Sequence, residues 1–126
     1  MTFTPRATLL PDSFSNSVSG TTTDAYATAL DWRSCAGWNS KSIVVANTGE
    51  ANDLTYKAYL YGLSSSDYYY LYSDLGQEEF IVQESDEDIV HFNYAYDRII
   101  VLVKSASAGN ATTYQLDAIG NKGGSA

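Results

Sequence analysis

Apolar residues in this chain fall into eight short runs, most alternating at every second position and two continuous (Ile43–Val45 and Ile99–Val103), with no helical window among them. A period of two sends successive side chains to opposite faces of an extended strand, so the chain is committed to sheets, with no helix to cover them. The clearest run is Asp53 to Tyr61, where Leu54, Tyr56, Ala58 and Leu60 alternate with Thr55, Lys57, Tyr59 and Tyr61. From Asp24 to Trp32, one face collects Tyr26, Thr28, Leu30 and Trp32, and the other Ala25, Ala27 and Ala29. Ser42 to Asn47 places Ile43, Val44 and Val45 together, the pattern of a central strand covered on both sides. Tyr68–Tyr72, Phe80–Gln83, Ile89–Tyr94, Arg98–Lys104 and Thr112–Ile119 complete the series. Turn residues separate the runs at Asn47-Thr48-Gly49, Asn52-Asp53, Asp74-Leu75-Gly76 and Ser85 to Asp88. Eight short strands at this spacing predict an all-β fold, a single antiparallel β-sandwich of jelly-roll or immunoglobulin-like type. Strand count favours the jelly roll.

At 126 residues one domain is expected, with three parts. Residues 1–22 hold both prolines and six Ser or Thr within Ser13 to Thr22, and their apolar residues (Phe3, Leu9, Leu10, Phe14, Val18) follow no period. They are expected to form an extended N-terminal arm that gains order on another surface. Residues 23–119 are the sandwich, and 120–126 a flexible Gly-rich tail.

Seven basic residues stand against fifteen acidic ones, a formal charge of −8, which argues against nucleic acid or an anionic membrane as partner. With 44 % hydrophobic and 13 % aromatic residues the chain is not disordered. The longest apolar run, Ile99 to Val103, is too short to cross a bilayer, and no apolar leader is seen near Met1. Synthesis in a cytoplasm is the expectation, with Asn110-Ala111-Thr112 a chance match to a glycosylation acceptor. The single Cys35, between Trp32 and Trp38, excludes an internal disulfide and reads as a small core residue. His91 reads as a partly exposed strand residue.

From Ala58 to Asp97 there is no Lys or Arg, while nine acids fall there: Asp67, Asp74, Glu78, Glu79, Glu84, Asp86, Glu87, Asp88 and Asp97. The dense turn Ser85-Asp86-Glu87-Asp88 has ligands that suit a hard cation, but lacks the spacing and central glycine of a helix-flanked calcium loop. A solvated hairpin tip that discourages edge-to-edge aggregation, or an acidic dock for a basic partner, explains it as well. Glu78, Glu79, Glu84 and Asp86 could supply a glycosidase pair, but the body is too small for a cleft with subsites. Outside the Gly-rich tail the glycines are scattered singly, so no phosphate loop is present. No enzyme activity, metal or cofactor is expected.

Eleven tyrosines are the abnormal entry in the composition. Alternation sends Tyr68, Tyr70 and Tyr72 to one face, Tyr69 and Leu71 to the other, and Tyr59 and Tyr61 to the outside of their own strand. Tyrosine offers large contact area with few rotatable bonds, so Tyr59, Tyr61, Tyr68, Tyr70 and Tyr72 are candidate interface residues, with Phe3, Leu9, Leu10 and Phe14 of the arm. A carbohydrate-stacking platform and ordinary strand propensity are the competing readings.

Two stretches carry a family resemblance. Ser42-Ile43-Val44-Val45-Ala46-Asn47-Thr48-Gly49, followed by Leu54-Thr55-Tyr56-Lys57-Ala58-Tyr59, resembles a strand, turn and strand of small β-sandwich virion proteins of tailed phages. Tyr96-Asp97-Arg98-Ile99-Ile100-Val101-Leu102-Val103-Lys104-Ser105, leading into Gly109 and Thr112 to Leu116, is similar to their late strands. The resemblance covers residues 38–119 and implies a head-decoration (cement) protein. Such a protein sits on the outside of the capsid, often as a homotrimer bound to the major capsid protein, and clamps neighbouring capsomers with an arm. The family brings no catalytic residues. Tail and neck proteins share the sandwich, so those roles stay open.

Overall fold

The computed structural model describes residues 13–93 and 95–121. Nine strands build it: β1 Ser13–Thr21, β2 Ala27–Arg33, β3 Ser40–Asn47, β4 Leu54–Tyr61, β5 Tyr70–Leu71, β6 Phe80–Val82, β7 Glu87–Asn93, β8 Arg98–Ser105 and β9 Thr113–Asn121. They form two antiparallel sheets. The first has the order β1-β9-β3-β7, and the second β2-β8-β4-β5, with β6 also paired to β4. The architecture is the β-sandwich that the period-two pattern predicts.

Alternation explains the layers. Inward residues of β4 (Leu54, Tyr56, Ala58, Leu60) meet Ile99, Val101 and Val103 of β8, Ile43 and Val45 of β3, Val90 and Phe92 of β7, and Leu116 and Ala118 of β9, all buried. β3 lies between β9 and β7, as expected of a central strand, but only one of its faces is covered: Ile43 and Val45 are buried, while Val44 is half-buried. The same inward face carries Lys41, whose 0 % exposure no pattern announced. Its Nζ donates to the Trp38 carbonyl at 2.6 Å, and burial lowers its pKa.

Three sequence expectations need correction. Ser13–Thr21, assigned to the arm, is an edge strand paired with β9 along its whole length, from Ser13↔Asn121 to Thr21↔Thr113. Its serines hid a strand whose inward Phe14 stacks on Trp32 (5.4 Å) and Trp38 (5.8 Å). Phe14 is thus a lid on the core rather than an arm contact. At the other end β9 runs to Asn121 with Gly120 buried, so Gly120 and Asn121, assigned to the tail, belong to the sandwich. In β2 a bulge between Thr28 and Leu30 breaks the alternation, so Thr28 does not share the buried face of Leu30 and Trp32. Phe3, Leu9 and Leu10 lie outside the described residues.

β5 is shorter than Tyr68–Tyr72 because β4 has one free edge and two partners for it. β6 takes Leu54 to Tyr56, leaving β5 only Tyr59 and Leu60. Between them the chain turns at Leu75 (φ 53°) and Gly76 (φ 83°), closed by paired bonds between Asp74 and Gln77.

Four loops gather at one end: residues 22–26, 48–53, 83–86 and 106–112. Ser105 donates its N–H to Thr23, Ala106 to Asp53, Ser85 to Gly49 and Gly109 to the Asp24 carboxylate. Asn47 locks this end from within. Its Nδ2 donates to the carbonyls of Asn52 (2.8 Å) and Val82 (3.0 Å), and its Oδ1 accepts from the Gly49 N–H (3.1 Å) and the Thr112 hydroxyl (2.7 Å). Gly49 is required there, since a Cβ would sit 1.9 Å from Thr112 Oγ1.

Candidate interaction face

Outward residues of β4 and β8 are brought together by register on the second sheet. Tyr61 lies opposite Arg98, Tyr59 opposite Ile100, Lys57 opposite Leu102 and Thr55 opposite Lys104. β2 adds Asp31 opposite Ile100 and Arg33 opposite Arg98. Arg98 grips Asp31 with a fork, Nε to Oδ1 and Nη2 to Oδ2 both at 2.9 Å, while Arg33 Nε reaches Asp31 at 3.4 Å. The Arg98 hydrogen bond holds the Asp31 carboxyl below the usual carboxylate range.

Tyrosines and cations interleave across this face. Arg98 stands 5.0 Å over the Tyr61 ring, Lys57 4.4 Å over Tyr26 and 5.4 Å over Tyr59, and Lys104 5.0 Å over Tyr26. Tyr69 bridges the two strand tyrosines, its ring 4.6 Å from Tyr59 and 5.6 Å from Tyr61. Tyr26 donates its hydroxyl to Glu79, and burial followed by that acceptor raises its pKa well above the ordinary phenol value. Every described Lys or Arg except buried Lys41 lies on this face.

The sequence placed Tyr68, Tyr70 and Tyr72 together, and the structure separates them. Tyr68 and Tyr70 are exposed, at 87 % and 71 %, beside the platform. Tyr72 turns inward instead and packs on Phe80 (5.6 Å) and Phe92 (5.3 Å). The ring that joins Tyr59 and Tyr61 is Tyr69, assigned to the opposite face from Tyr68 and Tyr70. Strict alternation fails because only Tyr70 and Leu71 are strand. Tyr26, Lys57, Arg98 and Lys104 were also missed as members, although outward parity in β4 and β8 marks the last three.

Apart from Asp31 and Glu79, the acids lie elsewhere. The four gathered loops contain Asp24, Glu50, Asp53, Glu84 and Asp86 and no Lys or Arg. A depression of about 500 Å³ opens there, lined by Thr48, Glu50, Ser85, Asp86 and Glu87 among others. Among the described residues no group of three His, Cys, Asp or Glu is placed to hold a metal ion. Asp88 turns inward at the edge of the first sheet and accepts the Tyr56 hydroxyl, whose pKa burial pushes far up. Glu78 and Glu79 sit on the β5–β6 connection, away from Glu84 and Asp86 in the β6–β7 loop. Counted along the chain, tyrosines and acids share residues 58–97; in the fold Tyr59, Tyr61 and Tyr69 lie on a cationic sheet face that also holds Asp31 and Glu79, while Glu84 and Asp86 join Asp24, Glu50 and Asp53 at the loop end.

The other reactive side chains have structural surroundings. Cys35 is fully buried, donates to the Tyr96 carbonyl at 3.4 Å, and its thiol pKa is pushed up to about 11 by burial. His91 is exposed on the outside of the first sheet, its Nδ1 2.6 Å from Ser42 Oγ across the β3–β7 pair.

No known protein family matches the sequence, and no curated protein does. Among solved structures the chain is similar to a Bacillus endospore appendage protein from a family of disulfide-linked pili, with a TM-score of 0.51 and 9 % identity over 86 % of each chain. It is similar also to the Yersinia pseudotuberculosis-derived mitogen, with a TM-score of 0.52 and 13 % identity over 83 % of this chain and 84 % of the other. These likenesses are of fold alone.

Proposed function

We propose that the chain is a non-enzymatic structural subunit, a capsid decoration protein of the tailed-phage type, that uses the Tyr26–Tyr59–Tyr61–Tyr69 face for subunit contacts. The observation that carries this is a continuous open sheet face of rings and cations, where an enzyme would need a cleft with convergent acid and base. The strand orders β1-β9-β3-β7 and β2-β8-β4-β5 support the jelly roll over the immunoglobulin-like alternative, because successive strands keep changing sheets. The resemblance of residues 38–119 to phage virion sandwiches supports a place on the capsid exterior, with the major capsid protein as partner and a homotrimer as the assembled form. In that reading residues 1–12, with Phe3, Leu9 and Leu10, are the clamp.

The test is co-sedimentation with empty phage shells. Deleting residues 1–12 leaves all nine strands and is expected to abolish pelleting, whereas a deletion to residue 20 would strip β1. Undiminished binding by the shorter deletion refutes the clamp.

Exposed Tyr68, Tyr69 and Tyr70 favour a second reading, a glycan- or receptor-binding module. It requires glycan binding that Tyr69→Ala and Tyr70→Ala remove and shells do not compete for.

A further inference from the structure

We propose that the partner of the cationic tyrosine face is the acidic loop end of a second copy of this chain. The inference rests on reading that face as a subunit contact and names what covers it. Both halves are built into one molecule. The face presents Lys57 and Lys104 among tyrosine rings, while the loop end presents Glu50, Asp86 and Glu87 around a depression with room for a lysine side chain, and Glu84 on the same loop as Asp86. No loop at that end holds a Lys or Arg, and every accessible Lys or Arg among the described residues is on the face. Such a contact joins two different surfaces, so it is heterologous and propagates into a ring or an open row. Desolvation of the cations is eased because the rings already stand beside them.

Salt gives the first discriminator. Copies carrying −8 repel one another, so association through apolar area alone would strengthen as salt screens that repulsion. Association through complementary surfaces weakens with salt. The experiment is sedimentation velocity of the full chain between about 50 and 500 mM NaCl, where the Debye length shrinks from roughly 14 to 4 Å. Two variants accompany it, Lys57→Glu/Lys104→Glu and Glu50→Lys/Glu84→Lys, with circular dichroism confirming that each is folded. We expect an oligomer at low salt that dissociates at high salt, at least tenfold weaker association for each variant alone, and recovery of assembly when the two are mixed. A wild type that is monomeric at low salt and about 100 μM, association that rises with salt, or a mixture that fails to assemble would each overturn the proposal. Shell co-sedimentation run alongside separates the two ideas, since a monomer that still pellets with shells refutes the self-contact and leaves the decoration reading standing.

Discussion

Removing the Asn47 side chain is expected to cost more than any surface change in this protein. Its amide makes four bonds, and the orientation is forced because two carbonyls need its NH₂ and one N–H needs its oxygen. After Asn47→Ala, the partly buried Asn52 carbonyl and Gly49 N–H have water within reach. The Val82 carbonyl and Thr112 hydroxyl belong to residues only 3 % and 5 % exposed, and they are stranded. At roughly 1–3 kcal/mol for each stranded group the loss is about 2–6 kcal/mol, a large share of the stability of a domain this size. Asn47→Asp keeps shape and acceptor but turns a carboxylate oxygen toward carbonyls that now lie 2.8 and 3.0 Å from the amide nitrogen. The introduced carboxyl therefore has a raised folded pKa. Its penalty is full above that value and disappears below the unfolded value near 3.9, where the proton can be donated to one carbonyl. Urea unfolding followed by Trp32 and Trp38 fluorescence measures both variants. A cost below about 1 kcal/mol for Asn47→Ala, or an Asn47→Asp cost that is flat between pH 4 and 7, would refute the network as the lock of the loop end.

Lys41→Met is expected to be neutral or stabilising at pH 7, since a buried amine bonded to the Trp38 carbonyl is replaced by a side chain of similar volume. Because burial depresses the folded pKa, the unfolded chain keeps the proton longer; wild-type stability relative to Lys41→Met should rise with pH from that depressed value up to about 10.4, and a difference that falls with pH would contradict the assignment. Leu75→Asn should add about 1 kcal/mol and raise Tm, because Leu75 holds φ 53° with its side chain in solvent. Asp31→Asn should cost about 1 kcal/mol at pH 7; the native carboxyl is depressed by Arg98, so that advantage exists above the unfolded pKa near 3.9 and is lost as acid titrates through the folded value, where wild type and variant should converge.

Most of the fold was legible because half-buried strands must alternate. Arg98 to Ser105 obeys that rule throughout, and Leu54 to Tyr61 obeys it except at Thr55, which is outward by parity yet buried. What escaped has identifiable causes. Ser13 to Thr21 is an edge strand with only Phe14 and Val18 packed against the core, too few apolar residues to show a period. The β2 bulge shifts parity by one residue with no glycine to mark it. The interaction face was half legible: Tyr59 and Tyr61 followed from parity, but Tyr69 joined them through a loop conformation that no local pattern encodes. Its charge escaped because counting along the chain groups residues 58–97, whereas the sheet sets Lys57 and Arg98, at the borders of that window, beside the tyrosines inside it.

The full-length pairing of β1 with β9 sets Ser13 directly across from Asn121. Whatever precedes the one and follows the other leaves the sandwich side by side, at the end opposite the acidic crown. A short linker could therefore close the chain covalently and new termini be opened in the 106–112 loop, giving a circular permutant with every strand pairing intact. The same adjacency governs labelling. A bulky group fused directly after Asn121 stands beside Ser13, and a reporter meant to leave that edge clear belongs in a loop.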